Sequence, residues 1–154
     1  MTRIGITGTR YGMTPAQRER VLDLLQEHRP ALFVHGQCSG VDVEVAAIAD
    51  KMQPRPRIHS MPGPDGDPWQ GCFSFNDEVA PPATHFARNR AIVRSVDLII
   101  GCPRESTHQA RGGTWYTIDF ARKSGVPCIV VFPDGSTETG AEREPARSEI
   151  APEP

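Results

Sequence analysis

Short, unbroken apolar runs alternate with helix-period segments along most of this 154-residue chain. That alternation narrows the folds open to it more than any other feature. Residues 3–7 (Arg-Ile-Gly-Ile-Thr), Leu32-Phe33-Val34, residues 57–60, Leu98-Ile99-Ile100 and residues 128–132 read as five strands. Runs without a polar break suit strands buried on both faces.

Four helical segments lie between them. Thr14-Pro15-Ala16-Gln17 opens the first: Thr14 caps, Pro15 fits the first helical position, and Gln17 can close a capping box. Val21, Leu22, Leu24 and Leu25 supply its apolar face, and Pro30 stops it. The second carries Val41, Val45, Ile48 and Met52 on one side, with Ser39 and Asp42 placed as cap and third helical residue. Thr84 caps the third, over residues 85–95, whose core side is Phe86, Ile92, Val93 and Val96. The fourth follows Gly112-Gly113-Thr114, buries Trp115 and Ile118, and ends at Gly125. Strands alternating with helices predict a three-layer α/β, Rossmann-like fold: a five-stranded parallel sheet with helices on both faces. The expected strand order is 3-2-1-4-5. Ligands bind such sheets at the carboxyl ends of the strands, where the order reverses.

At this length one domain with one core is expected, spanning residues 1–133. Residues 62–84 are a long loop rich in Pro and Gly, read equally as a lid or as a structural Ω-loop, and Trp69, Phe73 and Phe75 argue that it folds down. Residues 134–154, rich in Pro, Gly, Ser, Thr and Glu, are expected to be a disordered acidic tail. Six acids and two arginines give that tail a charge of −4; the whole chain carries −2, so residues 1–133 carry +2. Such a core is not basic enough for bulk nucleic-acid binding. No apolar run is long enough to span a bilayer. The first residues enter a strand without a signal-peptide pattern, so a cytoplasmic protein with no membrane partner is expected. Cys38, Cys72, Cys102 and Cys128 are far apart in sequence and read as buried or idle thiols. His59, His85 and His108 have no metal-ligand spacing. Neither a metal nor a resident cofactor is expected.

Three polar loops should meet above the sheet: residues 7–11, 35–42 and 101–114. Arg88-Asn89-Arg90 sits early in the helix before the fourth strand. Gly112-Gly113 leaves no Cβ in a ligand's way, and Thr114 reads as the cap of a helix whose free N–H groups and positive dipole end face the loop. That is a seat for phosphate or another anion. Glycines, hydroxyls, arginines and the Asp42 carboxylate together are what a nucleotide needs for its phosphate and ribose. Arg10, directly after a buried strand, should face the same crevice. The bland readings are that Arg88 and Arg90 are a solvated helix face and that Asp42 only caps its own helix.

Four stretches carry a family likeness: Thr7-Gly8-Thr9-Arg10, residues 35–42 (His-Gly-Gln-Cys-Ser-Gly-Val-Asp), residues 88–93 (Arg-Asn-Arg-Ala-Ile-Val) and Gly112-Gly113-Thr114-Trp115. In these, over about residues 3–133, the chain resembles the SLOG superfamily of Rossmann-like proteins, nearest its small standalone YpsA-like branch. That superfamily includes LOG-type nucleotide hydrolases and the DNA-processing protein DprA. The resemblance implies a nucleotide or nucleotide-derivative pocket. It places phosphate binding on Gly112, Gly113, Thr114 and Arg10, with Gly8 and Thr9 in the first loop. Gly36, Gly40 and Asp42 fall in the second, and Asn89 beside the arginines. In LOG-type hydrolases an arginine before the fourth strand and a glutamate after the Gly-rich turn cleave the N-glycosidic bond. Arg88 or Arg90 matches the arginine. Trp115, Tyr116 and Thr117 occupy the glutamate's positions, and the nearest acid is Asp119. Sensor or carrier is therefore the first functional expectation, nucleotide N-glycosidic hydrolase the alternative, and single-strand DNA binding a third. The resemblance also implies a homodimer.

Overall fold

The computed structural model describes residues 2–64, 75–139 and 143–144. Its main elements are β1 (Arg3–Gly8), α1 (Pro15–His28), β2 (Leu32–His35), α2 (Val41–Asp50), β3 (Arg57–Ser60), α3 (His85–Arg94), β5 (Leu98–Cys102), α4 (Gly113–Lys123) and β6 (Cys128–Val131). Three two-residue strands complete the sheet: β4 (Glu78–Val79), β7 (Thr137–Glu138) and β8 (Arg143–Glu144). The order is β4-β3-β2-β1-β5-β6-β7-β8. Its centre, β3-β2-β1-β5-β6, is parallel throughout and is the arrangement expected from the sequence.

The sheet is wider than five strands. At one edge β4 adds a parallel strand to β3, and at the other β7 and β8 add antiparallel ones. The supposed disordered tail thus begins as a hairpin. Asp134 accepts from the Ser136 backbone N–H at 2.9 Å, Gly135 takes φ +84°, and the Phe132 N–H reaches the Ser136 carbonyl at 2.8 Å. An Asp-Gly turn closes a hairpin locally whatever the average composition downstream. Arg122 then holds Glu138 at 2.8 Å, and Thr137 is buried. The remaining tail residues, like residues 65–74 of the long loop with Trp69, Phe73 and Cys72, lie outside the described residues. Phe75 packs against the core.

Alternation along the strands separates two apolar layers. Ile4, Ile6, Phe33, Leu98 and Ile100 face α1 and α2, meeting Val21, Leu25, Val41 and Val45. Val34, Ile99 and Val130 face α3 and α4, meeting Ile92, Val93, Trp115 and Ile118. Leu22 and Phe86 do not join them: both are exposed, Phe86 at 56%, where it lies against Tyr116 at 4.5 Å between ring centroids. The Thr14–Gln17 capping box forms at 3.0 Å in both directions, and the buried Gln17 amide also donates to the Pro103 and Val131 carbonyls. A helix start is thereby tied to the ends of β5 and β6. Gly125, at φ +78°, closes α4 with its N–H on the Arg122 carbonyl while Val126 reaches back to Ala121.

Candidate ligand-binding cleft

The chain leaves β1 for β2 and β3 on one side, then crosses to β5 and β6 on the other, so the crevice opens above the ends of β1 and β5. There the structure has a cleft of about 690 Å³, well inside the range of small-molecule sites. Of the residues expected at the site, Gly8, Thr9, Arg10, Gly36, Asp42, Arg88, Asn89, Gly112, Gly113 and Thr114 all line it.

Close packing of the first two loops shapes one wall. Any Cβ on Gly8 would overlap Val41, and the Val41 N–H donates to the Thr9 carbonyl at 3.1 Å. Gly40, at φ +82°, lies against the Arg10 backbone and is a packing residue rather than part of the lining. It is also the N-cap of α2, with no side-chain capping bond, so Ser39 does not cap. Asp42 turns instead to the preceding loop, accepting the Gly36 N–H at 2.8 Å and the Cys38 N–H at 3.4 Å.

That second loop is tied at Gly36, Gln37 and Cys38. Gln37 holds φ +57°, unusual for a side-chain-bearing residue. Its N–H donates to His35 Nδ1 at 3.0 Å, and its side-chain oxygen accepts from Ser60 Oγ. Arg88 Nη1 donates to the Gly36 carbonyl. His35 sits beneath the loop, its Nε2 against Asn76 Oδ1 at 2.7 Å. Burial lowers His35 from 6.5 to about 4, so it is a neutral structural ring there. Burial likewise raises Asp42 from 3.8 to about 6, opposed by the backbone N–H groups it accepts and by the charge on Arg88.

The loop after β5, fourth of the loops that follow the central strands, is different. Gly112, at φ +106°, is the N-cap of α4 and Gly113 its first residue, so Thr114 stands within the first turn rather than capping it. Gly113, Thr114 and Trp115 therefore have N–H groups with no partner inside the helix, facing the cleft they line. Arg10 and Arg111 also line the cleft, and neither makes a hydrogen bond or ion pair among the described residues. Arg104 lies over the ring of Tyr11 at 4.3 Å, and Tyr11 is 70% exposed at the rim. Glu105 accepts from the Trp115 indole at 2.9 Å. Arg104, Arg111, Tyr11 and Glu105 were not singled out as individual residues. Their signal was the placement of their loops, and a loop's position does not tell which side chains turn inward.

Two expected catalytic residues stand elsewhere. Arg90 leaves the opposite side of α3 from Arg88 and donates to the Tyr116 hydroxyl at 2.9 Å. Asp119 pairs with His108 at 2.9 Å on the outer surface of α4. Neither lines the cleft. Helical periodicity is the reason: two residues apart on α3 is about 200°, and Asp119 is seven positions into α4. Cys38 is half-buried at the cleft, whereas Cys102 and Cys128 are buried, with the Cys128 thiol pushed up to about 12. Among the described residues no group of three or more His, Cys, Asp or Glu could hold a metal ion, and no helix is long and apolar enough to cross a membrane.

A mostly parallel sheet covered on both faces, with its cleft at the strand-order reversal, defines the class: a three-layer Rossmann-like α/β protein. Solved structures share that fold. A molybdenum cofactor binding protein from the phototrophic bacterium Rippkaea orientalis matches 85% of this chain and 76% of its own, with TM-score 0.63 and 18% identity. TM1055, a structural-genomics protein, matches 83% of this chain and 72% of its own at TM-score 0.58 and 16% identity. DNA processing protein A (DprA) from Streptococcus pneumoniae matches 84% of this chain at TM-score 0.62 and 18% identity, and this chain spans half of its length. These neighbours fit the fold that the sequence resemblance implies. No protein-family profile matches the chain, and no curated protein sequence matches it.

Proposed function

We propose that this chain is a SLOG-type domain of the YpsA-like kind that binds a nucleotide or nucleotide derivative as a sensor or carrier. The observation that carries this reading is convergence. Four stretches far apart in sequence, led by Arg10, Gly36, Arg88-Asn89 and Gly112-Gly113-Thr114, line one cleft. The ligand's phosphate lies over the start of α4, where free N–H groups and the helix dipole meet Arg10 and Arg111. The ring occupies the side of the cleft toward Tyr11 and Arg104. The Rippkaea neighbour is by name a cofactor binder, which supports a ligand of nucleotide size and charge.

The alternative is hydrolysis of a nucleotide N-glycosidic bond. A buried carboxylate at the cleft, Asp42, favours it, because an anion near a developing oxocarbenium ion stabilises it. Arg90 and Asp119, engaged elsewhere, have no part in such a step. Binding of single-stranded DNA, suggested by the DprA likeness, is weighed against by the +2 charge of residues 1–133. A homodimer stays a proposal from the family resemblance alone.

Nucleoside monophosphates and ADP-ribose-type compounds separate these readings. A thermal shift without release of free base is the expected result. Base release lost on Arg88→Ala would favour the hydrolase. No response to any nucleotide, with salt-sensitive retention of single-stranded DNA, would replace the proposal by the third reading.

A further inference from the structure

One donor in the cleft is held ready and has no partner among the described residues. Asn89 is only 9% exposed. Its Oδ1 accepts from Arg88 Nε at 2.6 Å. A guanidinium has donors and no acceptor, so Arg88 dictates which end of the amide is oxygen. Asn89 Nδ2 is turned away from Arg88 and makes no hydrogen bond among the described residues. It faces the start of α4, 3.7 Å from where a Cβ on Gly113 would stand. The donor of this nearly buried side chain and the helix N-terminus thus converge from different elements.

Arg88 is already occupied. Besides Asn89, it donates to the Gly36 carbonyl, reaches the Met61 carbonyl at 3.4 Å, and meets His85 Nδ1 at 3.3 Å. Its guanidinium braces the second loop against α3, and turning it onto a ligand would leave the Gly36 carbonyl with only the Cys38 thiol at 3.6 Å.

We propose that Asn89, and not Arg88, contacts the ligand's anionic end, and that Arg88 is a positioning residue that fixes the polarity of the Asn89 amide. This rests on the nucleotide reading above and deepens it. Asn89 Nδ2 joins the N–H groups of Gly113 and Thr114 on the oxygens of a phosphate ester. Every group in that seat donates, so it accepts a phosphate and rejects a ligand end that itself only donates. The polarity is set inside the protein before the ligand arrives, which lowers the ordering cost of binding.

The test is calorimetric titration of the full chain with AMP, GMP, CMP, UMP and inorganic phosphate, following the tightest of them. Asn89→Asp keeps the bond from Arg88 Nε, because a carboxylate accepts there too, but turns an anionic oxygen toward the ligand. Its affinity is expected to fall roughly a hundredfold, against roughly tenfold for Asn89→Ala, which only removes the donor. Arg88→Lys frees the amide to turn; Asn89→Ala added to it costs little more, since both act through one group. Unfolding midpoints without ligand report whether each variant folds. If Asn89→Asp does not fold, Asn89→Ser decides: keeping a donor, it is expected to bind better than Asn89→Ala, and equal binding overturns the proposal. Asn89→Asp binding as wild type does, or no worse than Asn89→Ala, overturns the role of Asn89 alone. A wild-type chain that binds none of the probes removes the nucleotide reading and this inference together.

Discussion

Two loops face each other across the cleft, and they are built in opposite ways. In the second, Gly36, Gln37 and Cys38 have their N–H groups on Asp42 and His35, and the Gly36 carbonyl is on Arg88. In the fourth, the backbone N–H groups of Gly113 and Thr114 are left open by helix geometry, with Arg111 beside them and unpaired among the described residues. Both loops are glycine-bearing and follow strands, and from sequence both read as parts of one ligand pocket. The fourth offers the N–H groups of Gly113 and Thr114. In the second, the N–H groups of Gly36, Gln37 and Cys38 are already used within the protein, and the Gly36 carbonyl holds Arg88.

The largest effect expected from that contrast is on stability. Asp42→Ala orphans the buried Gly36 N–H and the part-buried Cys38 N–H and leaves Arg88 without its nearby anion, for a loss of about 3 kcal/mol. Urea unfolding measures this. A loss below about 1 kcal/mol would mean that the wall is not held from Asp42.

The next is the pH dependence of the same wall. The raised Asp42 favours the folded state below 3.8, and this is lost as pH rises through about 6. The lowered His35 favours it above 6.5, and this is lost as pH falls through about 4. The two oppose each other over one window, so wild-type stability should be nearly level there. Asp42→Asn, leaving His35, is expected to gain about 2 kcal/mol as pH rises from 4 to 6, and His35→Gln, leaving Asp42, to lose a similar amount. Denaturant midpoints across that range check both signs. Parallel slopes in the two variants would contradict the assignment.

The open loop, and Arg10 which lines the same cleft, should behave in the reverse manner. Arg10→Ala and Arg111→Ala are expected to leave stability within about 0.5 kcal/mol. Each should weaken nucleotide binding by roughly three- to tenfold, an effect that shrinks in high salt. The smallest effect is expected outside the cleft. Arg90→Ala and Asp119→Asn should leave nucleotide affinity unchanged in the same titration, since their partners are Tyr116 and His108.

How much of this was legible in sequence follows from what each signal measures. Apolar runs report burial on both sheet faces, and so the five central strands and their order were readable. Thr14-Pro15-Ala16-Gln17 encodes a cap chemically, and it forms as written. Ser39 and Thr114 look like caps by composition, but a glycine with positive φ takes the cap position before α2 and before α4. The tail composition hid the Asp134-Gly135 turn, because averages over twenty residues mask a signal four residues long. Arg88 and Arg90 were indistinguishable as a motif. Only the helix phase, fixed by Ile92 and Val93 packing on the sheet, sends one inward and the other toward Tyr116.

The most direct test is an amide NMR titration of the full chain with a nucleoside monophosphate. The Gly113 and Thr114 N–H groups and the Asn89 side-chain NH2 should shift most, with Gly36 and Cys38 nearly still. Large shifts at Gly36 and Cys38, with Gly113 and Asn89 unmoved, would reverse the roles assigned to the two loops.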